Sequence, residues 1–533
     1  MDWCMDSFKS KAFFKIKKLV KIQSLKERFF MKSGTGVVQF VLSFITIGML
    51  PRALGVEMYG NYGFITTFFN NIVKFLKFGV PTAYYVKISK KPEEKTIIGF
   101  YMYYLIMIIL LVAFLVASVY MTGLEEVVWP NQANIFIFAG AALSIFYLLS
   151  EFLRSTADSF GLTFSYEKIV IVQSIITVGV IVSLYVADLL TLKSLYLASI
   201  LILIFVILFG WYFLHKNNII LFKNMRLTKI QLVEYFKEFY QFSSPLIING
   251  IVVVFAMVFD IWLIQYYYGS VEQGYYTLAL KISAIVILLI SPISVLLLRE
   301  MSQKYEKKGK KEIRKMYKKY SYLFYFIAAY FSIFISLNAE YIGMFIGGDE
   351  FEDAAVIIML MALYPIHNIY GLIISNILLV RKKTNILRNI TLITLIPGIA
   401  ISFFLIAPVE AHGFGLGSMG LAIKVIALQF IGANICLMVV ARYLKLSFLR
   451  EARNQLVIFL TLYAFVKLSQ YSVLLYIDNM FISFIISGAI YSVLVYAVII
   501  FYPAIIGITS AEVKYYKESI KKIIKLKLKR ASA

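Results

Sequence analysis

Two ammonium groups, Lys74 and Lys77, stand about one helical turn apart inside FFNNIVKFLKFGVP (68–81), a stretch otherwise apolar enough to cross a membrane. On a helix Thr66, Asn70, Lys74, Lys77 and Pro81 fall in one narrow stripe, while Phe68, Phe69, Ile72, Phe75 and Phe78 cover the other faces. A lysine at mid-bilayer costs roughly 2.5 to 3.5 kcal/mol on insertion scales, so two on one face need water, a counter-charge or a ligand. The chemistry this spacing offers is capture of an anionic headgroup in a water-filled cavity, since an ammonium is a strong, mobile donor to phosphate oxygens. Two plainer readings stand beside it. Lys77 snorkels toward the basic side of the membrane with Lys87, or each lysine meets a carboxylate.

Further along, Asp260 and Lys281 fall in consecutive spans. They form either a mutual ion pair or two functional groups, Lys281 a second contact for the same anion and Asp260 a site for a coupling proton or sodium ion. On the sequence map Asp260 is the sole acidic residue well inside a span. Lys424 is a weaker cavity candidate. Arg52, in PRALG just after the first span, either binds phosphate at the exit or caps helix carbonyls.

Signals for an enzyme are poor. His215, His367 and His412 lie on distant segments, and neither Cys4 nor Cys436 stands near a histidine, so no metal site or nucleophile pair is expected. Two cysteines so placed make no disulfide framework. GFGLGSMG (413–420) superficially resembles a dinucleotide fingerprint, but it opens a span and follows no strand, so close helix packing is the better reading. EAH (410–412), Glu125 with Glu126, and DEFED (349–353) read as ordinary loop faces.

The elements that must hold these residues are apolar helices. Of 533 residues 61% are hydrophobic and 15% charged, with a mean hydropathy of +0.82, the signature of a polytopic membrane protein. The fold class expected is all-α, a membrane bundle of about fourteen spans near 34–51, 63–86, 97–121, 132–153, 169–187, 194–214, 243–266, 275–298, 321–337, 354–380, 389–407, 416–440, 455–474 and 480–505. With the N-terminus inside, nearly all of the 53 Lys and Arg fall in inner segments, leaving Arg52, Lys74, Lys77, Lys193, Lys281, Lys424 and Lys467 elsewhere. That places both termini in the cytoplasm. The net charge of +24 then resides beside the inner leaflet, where it attracts anionic phospholipids rather than nucleic acid.

The domain order expected is a basic amphipathic arm over 1–33, a first lobe over 34–214, a linker over 215–242, a second lobe over 243–440, two accessory helices over 441–505 and a basic tail over 506–533. An offset of 214 residues aligns Gly36, Gly60 and Tyr62 with Gly250, Gly274 and Tyr276, the mark of two related six-helix halves.

Several segments together, LPRALGVEMYGNYGF (50–64), FSSPLIINGI (242–251), GYYTLALKISAIVILLISPISVLLLREMSQKY (274–305), FIGGDEFEDAAVIIMLMALYPI (345–366) and HGFGLGSMGLAI (412–423), resemble the polysaccharide transporter family of the multidrug/oligosaccharidyl-lipid/polysaccharide exporter superfamily. The closest likeness is to the Wzx O-antigen flippases of lipopolysaccharide assembly. The resemblance implies two six-helix lobes in a V around a central cavity, with two further C-terminal helices. It also implies a non-enzymatic flippase in the bacterial inner membrane that carries an undecaprenyl-diphosphate-linked glycan outward, working with other membrane proteins of polysaccharide assembly. Arg52 falls on the arginine of the family's R-x-L-G loop and Pro292 on its proline in the eighth span. Lys74, Lys77 and Lys281 match no fixed motif, and their assignment rests on the helical reading. No cofactor is expected beyond a coupling proton or sodium ion.

Other readings remain open. A flippase for lipid II or teichuronic acid is close; a drug or cation exporter of the same superfamily should place more carboxylates and aromatics in its cavity; a polymerase or ligase should carry a large basic outer loop.

Overall fold

The computed structural model describes residues 25–90, 92–221, 227–474 and 479–507. Most of the expected basic arm and tail, Cys4 among them, lies outside the described residues. The longer helices are α1 (Leu25–Leu76), α2 (Val80–Lys90), α3 (Thr96–Thr122), α4 (Asn134–Ser159), α5 (Thr163–Val186), α6 (Leu192–Lys216), α7 (Lys229–Leu337), α8 (Tyr364–Val380), α9 (Thr384–Ile406), α10 (Gly417–Leu444), α11 (Phe448–Leu474) and α12 (Met480–Phe501). Every described element is helical, as a bilayer demands of a chain that must satisfy its own backbone.

Twelve stretches among the described residues are long and apolar enough to cross a membrane. Two of them, Gly34–Leu76 with 43 residues and Asn249–Leu288 with 40, would each run about 60 Å if straight, twice the hydrocarbon thickness. Each contains a glycine with left-handed backbone, Gly55 (φ 71°) and Gly269 (φ 75°), which divides it. The described residues therefore supply the fourteen apolar segments that hydropathy predicts. This is a multi-pass membrane protein.

Two expected spans are not single helices. The segment 63–86 is interrupted after Leu76, where Phe78 (φ 43°) and Gly79 (φ 76°) leave the helical region before α2 begins. The Lys77 N–H still reaches the Val73 carbonyl at 3.1 Å, so Lys77 caps α1 directly after its last helical residue. Pro81 is the second residue of α2, where a missing N–H costs nothing, and the stripe expected to continue through it is broken. The segment 354–380 is likewise split, into Ala355–Met361 and α8.

The described chain forms two compact units, divided between Gln273 and Gly274 inside α7. In the first, α4 approaches α1 so closely that a Cβ on Gly140 would fall 2.1 Å from the Ile65 side chain. Trp129, almost fully buried, stacks on Phe69 with ring centroids 5.9 Å apart, and Tyr84 stacks on Tyr101 at 4.4 Å. In the second unit one apolar core runs through α7, α8, α10, α11 and α12, from Tyr317 and Tyr370 to Leu462 and Tyr491. The last two helices are stitched into it by Tyr330 stacked on Tyr491 at 4.9 Å and by the Gln470 amide donating to the Leu337 carbonyl at 2.9 Å.

Two glycines of GFGLGSMG serve close packing, while Gly415 (φ 69°) and Gly417 (φ 51°) supply left-handed backbone at the turn into α10. A Cβ on Gly413 would lie 2.0 Å from the Ala407 carbonyl oxygen, and one on Gly420 would lie 2.6 Å from that of Leu405.

Candidate functional site

At the end of α1 the terminal carbonyls need partners, and the Tyr104 hydroxyl donates to that of Leu76 at 2.6 Å. This fixes the turn that carries Lys77. The Lys77 ammonium is largely covered and pairs with Glu151 of α4, whose side chain is exposed. Lys77 thus has a carboxylate partner rather than snorkelling beside Lys87. Lys87 itself pairs with Glu238 and lies 4.4 Å above the Tyr235 ring. Tyr235 donates to Glu94 at 2.8 Å; burial, with Glu94 adding to it, pushes this phenol up to about 12.

Glu151 opens a charged stripe on α4. Three residues on, Arg154 grips Glu167 of α5 through Nε at 3.0 Å and Nη2 at 2.7 and 2.9 Å. Glu167 is fully buried. One further turn on, Asp158 accepts from Lys32 at 2.7 Å through Oδ2, while its buried Oδ1 has no partner. Lys32, Glu151, Arg154 and Asp158, with Pro81, Thr82, Tyr85 and Ser155, line a cavity of about 460 Å³. Its four ionised groups balance in charge.

Lys74 is exposed and makes no hydrogen bond or ion pair with the described residues. Asn70, one turn before it, is half-buried. Arg52 lies exposed on α1 between Pro51 and the Gly55 break. Asp260 is buried in the first unit. In the second unit Lys281 is exposed between the buried Ala279 and Ile282, and Lys424 is buried with its methylenes facing Gly398.

Sequence reasoning missed the α4 carboxylates. Glu151 falls in the expected span 132–153, and α4 continues to Ser159, so Asp260 is not alone among helical acids. The signal was present as spacing, since Glu151, Arg154 and Asp158 recur at three and four residues.

Also missed was a buried polar clasp in the first unit. Asn61 Oδ1 accepts from Gln132 at 2.6 Å and from Ser270 at 2.5 Å. Gln265 donates to Ser270 at 2.9 Å and to the Pro130 carbonyl at 3.0 Å. The Oε1 atoms of Gln132 and Gln265 stay buried without partners. Among the described residues no group of three or more His, Cys, Asp or Glu is placed to hold a metal ion.

A family model described as polysaccharide biosynthesis protein matches residues 25–298, slightly over half of the chain. The chain belongs to this family. A second model, MatE, matches residues 245–404, and the two together put the protein in the polysaccharide transporter family and superfamily that its segments resemble. Among solved structures it is similar to the lipid II flippase MurJ in an inward closed conformation, at 14% identity and a TM-score of 0.63, covering 88% of this chain and 98% of that one. It is also similar to an inward-facing multidrug resistance MATE family transporter, at 13% identity and a TM-score of 0.56, covering 77% and 95%. At such identities the likeness is one of fold. No curated protein matches the chain.

Proposed function

We propose that this protein is a flippase that moves an undecaprenyl-diphosphate-linked oligosaccharide, an O-antigen unit or a similar repeat, from the cytoplasmic to the outer leaflet by alternating access. The observation that carries the reading is the exposed ammonium of Lys74, without an ion pair among the described residues, one turn from the Lys77–Glu151 pair, inside an apolar helix of a polysaccharide biosynthesis family member. An arriving diphosphate bonds Lys74 directly and displaces Glu151 from Lys77, gaining two charge-assisted donors. Asn70 adds a neutral donor, Arg52 meets the phosphate at the exit, and Lys281 and Lys424 serve the second unit. Asp260 carries the coupling proton or sodium ion. The termini face the cytoplasm, and the basic arm and tail meet anionic phospholipids there. Different affinities for the cargo in inward and outward states drive the cycle, and no bond of the cargo is made or broken.

The test is native mass spectrometry with undecaprenyl diphosphate oligosaccharide against a hydrophobic cation, on the wild type and on Lys74→Ala with Lys77→Ala. Glycolipid binding that weakens strongly in the double variant supports both cargo and site. Unchanged glycolipid binding removes the site. Binding of the cation alone favours drug export, the reading to which the MatE match lends weight, and lipid II offered in parallel separates the cell-wall alternative.

A further inference from the structure

α5 and α6 are consecutive apolar helices joined by the short turn between Val186 and Leu192, so they run antiparallel. Along their seam lies an open groove of about 300 Å³, walled almost wholly by apolar atoms. Lys168 and Phe213 line one end of it, Ile176 and Ile202 the other, and Phe205 and Phe209 stack in the stretch between with ring centroids 6.1 Å apart. Phe213 and Ile202 stand eleven positions apart on α6. That is about 16 Å at the helical rise, close to half of a hydrocarbon core roughly 30 Å thick. The end at Lys168 is cationic. Lys168 is exposed with its ammonium 5.0 Å from the Phe164 ring centroid, whereas its neighbour Glu167 is fully buried in the Arg154 fork. Lys216, exposed one turn past Phe213, adds a second positive charge on the same side of α6. A larger groove of about 490 Å³, between α3, α4 and α6, has no charged side chain in its walls.

A groove of one leaflet's depth that begins at two cations matches the form of a phospholipid, with phosphate at the rim and acyl chain below. We propose that it binds one anionic phospholipid of the bilayer, an acyl chain lying along Val172, Ile176 and Phe205 and the phosphate meeting the ammonium groups of Lys168 and Lys216. An ammonium gives a phosphate oxygen a charge-assisted hydrogen bond, and the methylenes of a lysine cover apolar surface while its charge stays at the water. Two cations against one phosphate select a lipid of net negative charge over a zwitterionic one, whose own ammonium they repel. The polyprenyl tail of a lipid-linked sugar is a poor occupant, since it is far longer than the groove. On the orientation proposed above, the lipid belongs to the cytoplasmic leaflet, where it braces α5 against α6. The proposal rests on the membrane reading of the helices and not on the cargo, so it is independent of the flippase reading.

The experiment is photo-crosslinking of the full-length protein in lipid nanodiscs with a phosphatidylglycerol whose acyl chain carries a diazirine, the labelled residues being mapped by mass spectrometry. The expected result is labelling across 172–176 and 202–209. Unlabelled phosphatidylglycerol should displace it about tenfold more effectively than phosphatidylethanolamine, the scale of one charge-assisted hydrogen bond. Lys168→Gln should lower the labelling and erase that preference. Val172→Trp fills the groove from an exposed position and should remove the labelling. Ile106→Trp, in the uncharged groove, should leave both labelling and preference unchanged. Equal displacement by the two phospholipids, labelling indifferent to Lys168→Gln or to Val172→Trp, labelling no stronger than at the uncharged groove, or displacement by undecaprenyl phosphate instead would each overturn the proposal.

Discussion

Arg154 holds the fully buried Glu167 in a fork, two nitrogens on one carboxylate, between neighbouring helices of the first unit. Such a pair adds little over a packed apolar pair, but half of it is costly. Arg154→Ala should therefore destabilise the protein by about 3 kcal/mol or more, and Arg154→Met with Glu167→Leu should recover much of the loss. Unfolding temperatures in detergent would measure both; equal losses would show the pair is not what burial makes it.

Glu151 occupies the Lys77 ammonium that the proposed cargo needs. Glu151→Gln should strengthen binding of an undecaprenyl diphosphate glycolipid, and Lys77→Ala should weaken it, each by about tenfold, the scale of one charge-assisted hydrogen bond. Titration in nanodiscs reads both signs, and a Glu151→Gln variant that binds more weakly would reverse the role given to that carboxylate.

The clasp at Asn61 makes a sharper demand. Replacing Asn61 by Leu leaves the Gln132 amide only its long 3.4 Å bond to the Pro130 carbonyl and removes the acceptor of Ser270, at about 1 to 3 kcal/mol for a buried group left unpaired. The variant should open the cluster, seen as faster hydrogen exchange across 258–270 and 125–135. Exchange as slow as in the wild type would mean that packing alone holds the region.

Gly420 offers a test of backbone proximity. Gly420→Ala sets a methyl 2.6 Å from a carbonyl oxygen that belongs to the main chain and yields little, so a loss of about 1 to 3 kcal/mol is expected. Gly179, with open space around it, is the control, and its alanine variant should keep the wild-type melting temperature.

Fourteen apolar segments, and the lysines set within them, were legible from hydropathy because lipid leaves the backbone so few choices. The break after Leu76 was not, because Phe78 adopts a positive φ that its side chain does not advertise. Glu151 was hidden by treating 153 as a span end, although its spacing to Arg154 and Asp158 is helical. Nor could the burial of Glu451 at the start of α11 be read. That residue precedes the expected span 455–474 among exposed basic residues, and only tyrosines some 130 positions earlier make it a buried group.

A lysine that already has a partner does more than wait. Phospholipids with a single phosphate outnumber any lipid-linked sugar in a leaflet, and a bare cationic cleft would fill with them. Under the proposed function the Glu151 carboxylate turns entry into a competition: one phosphate gains too little by breaking the Lys77 pair, whereas the proposed diphosphate cargo has Lys74 to engage as well. On this reading the counter-ion is the discriminator, and selectivity against the surrounding bilayer is built from a negative charge placed beside a positive one.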